Sequence, residues 1–214
     1  DYFSQIIFPQ FLRYGKGEFS LKKRGYYPKG QGEIEVVIKK RYSYDNIVSG
    51  TVSLKPLLLM ERGTLVKIAG VSHASADLAE ARVAERQAQA ATAVLQKWKV
   101  PVEIVSSYSQ SASTGSGITL WAIFTGTTED ADFMDPVRVG ADILGEKGKR
   151  AELVGEEGAV ALNAAHASGA PVDTHLADQL IPLLGIVGGE IAVQEITNHT
   201  LTNMYVTEQF LGVR

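Results

Sequence analysis

Between residues 63 and 168 the chain changes texture again and again, and that alternation limits the fold more than any other feature. Residues 64–71 are apolar and β-branched, the pattern of a strand. A long run rich in Ala, Glu, Gln and Arg follows, all strong helix formers. Ser75 or Asp77 is placed to cap it, and Pro101 to stop it after Lys99. Residues 102–107, 118–125 and 137–144 predict three more strands. The Ser/Gly stretch 109–117 predicts a mobile loop, 129–135 an acidic turn, and 155–168 an alanine-rich helix. A strand, a helix, three strands and a helix make a unit able to bury its own core, so an α+β fold is expected.

On the amino-terminal side, Phe3, Ile6, Ile7, Phe11 and Leu12 recur at helical spacing and predict an amphipathic helix over 1–14, closed by Gly15 and Gly17. Residues 18–24 and 33–41 predict two strands. The link Gly25-Tyr26-Tyr27-Pro28-Lys29-Gly30-Gln31-Gly32 is either a long hairpin turn or a loop that comes close to a phosphate-rich ligand. Residues 42–55 read as irregular. Nine basic residues against three glutamates give 13–41 a charge of +6, so the remainder of this −3 chain carries −9. A basic field of that kind attracts phosphates, and a solvated hairpin face would carry the same charges.

The 214 residues can bury a sizeable core. Zero cysteines exclude disulfides, thiolate metal sites and a cysteine nucleophile. No apolar run is long enough to cross a bilayer and no signal peptide is read at the start, so no membrane contact and a cytoplasmic location are expected.

The chemistry concentrates in the last third, read as helix, strand (190–196), helix. Leu176, Leu180, Leu183 and Leu184 form an apolar stripe. His175, Asp178 and Gln179 gather on the neighbouring face at i, i+3 and i+4. Asp173 or Thr174 is the expected helix cap. His199 falls where another helix begins, a place suited to an anionic phosphate, and a neutral imidazole nitrogen can attack phosphorus. A capping or core histidine would fit the same position. His175 could stack on a base while Asp178 and Gln179 bond it. His73 and His166 have no polar company in the sequence and read as structural. No Walker A loop, GxGxxG, GxSxG or HExxH motif occurs.

Three segments together resemble the RNA 3'-terminal phosphate cyclase family: Arg24-Gly25-Tyr26-Tyr27-Pro28-Lys29-Gly30-Gln31-Gly32, His175-Leu176-Ala177-Asp178-Gln179-Leu180, and His199-Thr200-Leu201-Thr202-Asn203 followed by Glu208-Gln209-Phe210-Leu211. They run in the family's order and span nearly the whole chain. The resemblance implies an ATP-dependent reaction. In it, His199 takes up AMP, passes it to an RNA 3'-phosphate, and the neighbouring 2'-hydroxyl closes a 2',3'-cyclic phosphate. It assigns ATP binding to His175, Leu176, Ala177, Asp178 and Gln179, with the His175 ring on the adenine. It implies a core of repeated units, each a four-stranded sheet with two helices, formed by 1–58 and 166–214, with 59–165 as an inserted domain. Its partners would be ATP and RNA ending in a 3'-phosphate; the oligomeric state is left open.

Two departures stand out. Gln31 replaces a glycine found in many members. The family's amino-terminal glycine-rich segment and several arginines, and its last strand, have no counterpart here. The ligands of a divalent metal (Mg²⁺ or Mn²⁺) are therefore expected outside this chain, no metal site within it, and the 214 residues alone are expected to form no histidine–AMP adduct. The competing expectation is a non-catalytic cyclase-like protein that acts in RNA binding or ribosome assembly. His199 in an intact HTLTN stretch argues against it.

Overall fold

The computed structural model describes residues 1–125 and 137–212, and the acidic turn expected at 129–135 lies outside them. A π-helical turn, Phe3–Ile7, runs into α1 (Phe8–Leu12), and a hairpin of β1 (Lys16–Lys23) and β2 (Glu33–Lys39) follows. Short α2 (Tyr44–Val48) and β3 (Leu57–Leu59) lead to β4 (Thr64–Ser75), α3 (Val83–Leu95), β5 (Val102–Ser109), β6 (Ser116–Thr125) and β7 (Val137–Leu144). The order closes with α4 (Ala151–Ala167), α5 (Thr174–Val187), β8 (Gly189–Ile191) and α6 (Asn198–Leu211). The architecture is mixed α/β.

Four strands form one sheet in the order β5-β4-β6-β7. β4 and β5 run parallel because α3 crosses between them, whereas β6 is antiparallel to both of its neighbours, β4 and β7. Successive side chains on a strand point to opposite faces, and here both faces are covered. Ile68, Ile118 and Leu120 face α3 and α4, packing with Leu95, Val154 and Leu162. Ala69 and Trp121 face the other way, onto Ile6, Leu57, Val172, Leu176 and Leu180. Each fully buried Leu or Ile contributes about 1.5–3 kcal/mol. α3 and α4 approach so closely that a Cβ on Gly155 would stand 2.1 Å from the Gln87 carbonyl oxygen, which only glycine tolerates.

Several expectations are corrected. The opening helix is present over 2–12 but changes pitch within it. Pro9 in the first turn of α1 supplies no N–H, and the π-helical turn precedes it. Gly17 lies inside β1, where a Cβ would meet the Val37 carbonyl oxygen at 2.7 Å. The long helix is broken: Ala76–Leu78 is a 3₁₀ turn, and Arg82 at φ 51° delays α3 to Val83, so neither Ser75 nor Asp77 caps it. The 42–55 stretch contains α2, capped by Ser43. α4 starts earlier than 155, and β8 stops at Ile191. The loop after β5 is tied down on both sides: Lys29 N donates to Ser113 Oγ (3.1 Å), Gly115 N to Ser75 Oγ (3.1 Å), and Thr114 Oγ1 to the Asp77 carboxylate.

His73 has polar company after all. Its Nδ1 lies 2.9 Å from the Tyr26 hydroxyl, and its Nε2 is 3.9 Å from the Asp1 carboxylate. Burial, with the nearby Arg24 guanidinium adding to it, pushes its pKa from 6.5 down to about 3. The folded protein therefore holds His73 neutral, while the unfolded chain takes up a proton below pH 6.5. The stability due to neutral His73 is complete above that pH and is lost as pH falls toward 3, by at most ~1.4 kcal/mol per unit. His73→Asn is expected to flatten the loss between pH 7 and pH 5 by about 2 kcal/mol. Urea unfolding of both proteins at the two pH values measures it, and identical slopes would rule it out. His166 is packed as a ring among rings, 4.1 Å from Trp98 and 5.9 Å from Phe124 between centroids.

Candidate active site

Two helices begin in the same way. Asp173 caps α5, its carboxylate accepting from His175 N and Leu176 N at 3.0 Å. Thr197 caps α6, its hydroxyl accepting from Thr200 N at 3.2 Å. His175 and His199 therefore both occupy the second position of a capped helix, and both are exposed. First-turn N–H groups and the helix dipole favour negative charge at such places.

Asn203 joins the two. Its Nδ2 donates to the Asp178 carbonyl oxygen at 2.9 Å, fastening α6 to α5. His199 precedes Asn203 by four residues and His175 precedes Asp178 by three, so each lies about one helical turn along its own helix from this bond. The fold thus brings together the two histidine segments that are separate in sequence.

Asp178 is half-buried and Gln179 exposed, with Gln179 Nε2 donating to Asp178 Oδ1 at 2.9 Å. Leu176 (1% exposed) and Ala177 (0%) turn the other way, into the core under the sheet, where they set the position of α5. Beside His175 lies a cleft of about 260 Å³, lined in part by Asp142, Thr174, Ala165 and Gln194. The Tyr2 ring meets His175 edge-on at 5.9 Å, and its hydroxyl donates to Asp173. Burial, then the Asp173 charge and this bond, raise the Tyr2 pKa well above its usual value. Asp173 also accepts from Gly140 N at 2.8 Å, so β7, α5 and the amino-terminal turn meet at one carboxylate.

Sequence reasoning gave no role to Asn203, Tyr2 or Gln194. The i, i+4 spacing of His199 and Asn203 was a usable signal for the first. Tyr2 and Gln194 reach the site only through distant packing. Among the described residues, no three His, Asp or Glu side chains come together to hold a metal ion. None of the described helices is long and apolar enough to cross a membrane.

Known proteins match the sequence along its whole length. The family model described as "RNA 3'-terminal phosphate cyclase" matches residues 1–214. The chain is 40% identical to the RNA 3'-terminal phosphate cyclase of Thermococcus gammatolerans over 218 residues, covering 99% of this chain and 56% of that protein. The corresponding protein of Pyrococcus furiosus is 40% identical over 213 residues, with the same coverages. That of Saccharolobus islandicus is 38% identical over 216 residues, covering 100% of this chain and 57% of the relative. The chain thus spans a little over half the length of these relatives, and it belongs to the RNA 3'-terminal phosphate cyclase family.

Proposed function

We propose that the whole protein converts an RNA 3'-terminal phosphate to a 2',3'-cyclic phosphodiester with ATP, through a covalent histidine–AMP intermediate on His199. The observation that supports this most is the fastening of two capped, histidine-bearing helix starts by the Asn203–Asp178 bond. His199 would attack the α-phosphorus of ATP with a ring nitrogen lone pair, forming a P–N bond as the P–O bond to pyrophosphate breaks. An RNA 3'-phosphate oxygen would then displace the imidazole. The neighbouring 2'-hydroxyl would attack the activated phosphorus, losing its proton and expelling AMP. The exposed ring of His175 would lie against the adenine, with Asp178 and Gln179 to hydrogen-bond the nucleoside. Leu176 and Ala177 would contribute by fixing the helix.

A divalent metal, Mg²⁺ or Mn²⁺, would be held by ligands outside this chain; among the described residues no three His, Asp or Glu side chains come together. On the same reading, 1–58 and 166–214 belong to a core of repeated four-stranded units, 59–165 is an inserted domain, and the protein works in the cytoplasm.

The test is direct. The whole protein is incubated with ATP labelled at the α-phosphate, quenched and digested. The expected product is an acid-labile adenylate on the peptide carrying 198–203. Label on a different peptide, or none, would sink the proposal.

A further inference from the structure

A second cavity, of about 560 Å³, opens where the end of β1 meets β5, a strand at the margin of its sheet. Lys22, Lys23 and Arg24 line one side and Ser107 and Gln110 the other; Glu33 is the one acidic side chain on its wall. The cations are unequally engaged. Lys22 pairs with Glu35 at 2.8 Å, both side chains exposed, and such a pair is easily exchanged. Arg24 grips Asp1 through Nη1 (2.7 Å) and Nη2 (2.9 Å), which leaves three of its five N–H donors. Lys23 is exposed and makes no ion pair among the described residues. Opposite them, Ser107 Oγ is buried with no hydrogen-bond partner.

Cations and an unmatched hydroxyl together suit a ligand with repeated anionic oxygens. Nearby in the chain, Tyr27 is 91% exposed and offers a ring for base stacking, a pairing typical of single-stranded RNA sites. A chain of contacts links the wall of this cavity to the histidine site. Arg24 holds Asp1, the next residue is Tyr2, and the Tyr2 ring meets His175.

We propose that this cavity holds the phosphodiester backbone of a single-stranded RNA whose 3' end is presented to His199. The direction of the strand rests on the cyclase reading; the backbone site itself does not.

The test uses the whole protein without ATP, titrated by fluorescence anisotropy with a labelled twelve-nucleotide oligouridylate ending in a 3'-hydroxyl, at several KCl concentrations. Lys23→Glu is expected to weaken binding about three- to tenfold and to reduce the salt slope by about 1. Ser107→Ala is expected to weaken it about twofold, with the circular dichroism of both variants unchanged. Lys97→Glu, the same charge change just past the carboxyl end of α3, serves as control and is expected to alter binding less than twofold. Oligonucleotides carrying 4-thiouridine should crosslink to 21–24 or 107–110. Equal losses in the two charge variants, or crosslinks confined to other segments, would overturn the proposal. ATP is absent throughout, so such a failure leaves the adenylation reading to its own experiment.

Discussion

Substituting His199 with alanine is expected to remove adenylate transfer by at least about a thousandfold while leaving the folded state intact, because on the proposed mechanism it deletes the nucleophile and with it the whole covalent route. The structure separates these two effects. His199 is exposed and sits in the first turn of α6, where the cap comes from Thr197 and not from the imidazole. Alanine is the best helix former, so stability should stay within about 0.5 kcal/mol of the parent. Label transfer from ATP and a thermal melt, run on the same preparation, read both quantities. A variant that still takes up adenylate at the parental rate would show that another group is the nucleophile. One that melts many degrees lower would show that the ring is structural.

The largest stability effect is expected at Asp173. This carboxylate is 2% exposed and accepts hydrogen bonds from four donors: the Tyr2 hydroxyl, Gly140 N, His175 N and Leu176 N. Alanine removes the cap of α5, worth about 1 kcal/mol, and strands further buried donors at about 1–3 kcal/mol each when no water replaces the oxygen. A total loss of about 4 kcal/mol is expected for Asp173→Ala, read from urea midpoints. Asp173→Asn should lose about half as much, since one oxygen remains while an NH₂ replaces the other. A loss below 1 kcal/mol for the alanine variant would mean that the carboxylate does not hold β7, α5 and the amino-terminal turn together. On the proposed reading, in which the turn carrying His175 binds ATP, ATP affinity should fall in parallel.

Much of this was legible in the residues alone. The strands at 64–71, 102–107, 118–125 and 137–144 were read because β-branched and apolar residues cluster between Gly, Ser and Pro. The cap of α5, Asp173, lies within three residues of the groups it serves and was read; that of α6, Thr197, was as near and was passed over. What escaped reading was set by distance. Arg82 stands among good helix formers, and nothing local says that its backbone turns left-handed. β3 is only Leu57–Leu59, too short to show alternation, and its partner β8 comes from the far end of the chain. His73 looks solitary until the fold places Tyr26 beside it. Asn203 stood in plain view within the HTLTN stretch, but its acceptor is a backbone carbonyl, which every residue carries and no sequence distinguishes.

The parallel pairing of β3 with β8 has a bearing on evolution. These two short strands close a ring that contains the whole four-stranded sheet. The entropy of closing a ring grows only logarithmically, about 0.6 kcal/mol for each doubling of length. Insertions and deletions in surface loops along that ring are therefore almost free, provided the side of the sheet bearing Ala69 and Trp121 keeps its shape against Leu57 and Leu176. Descendants of this chain can lengthen or shorten the intervening loops without shifting the paired strands β3 and β8.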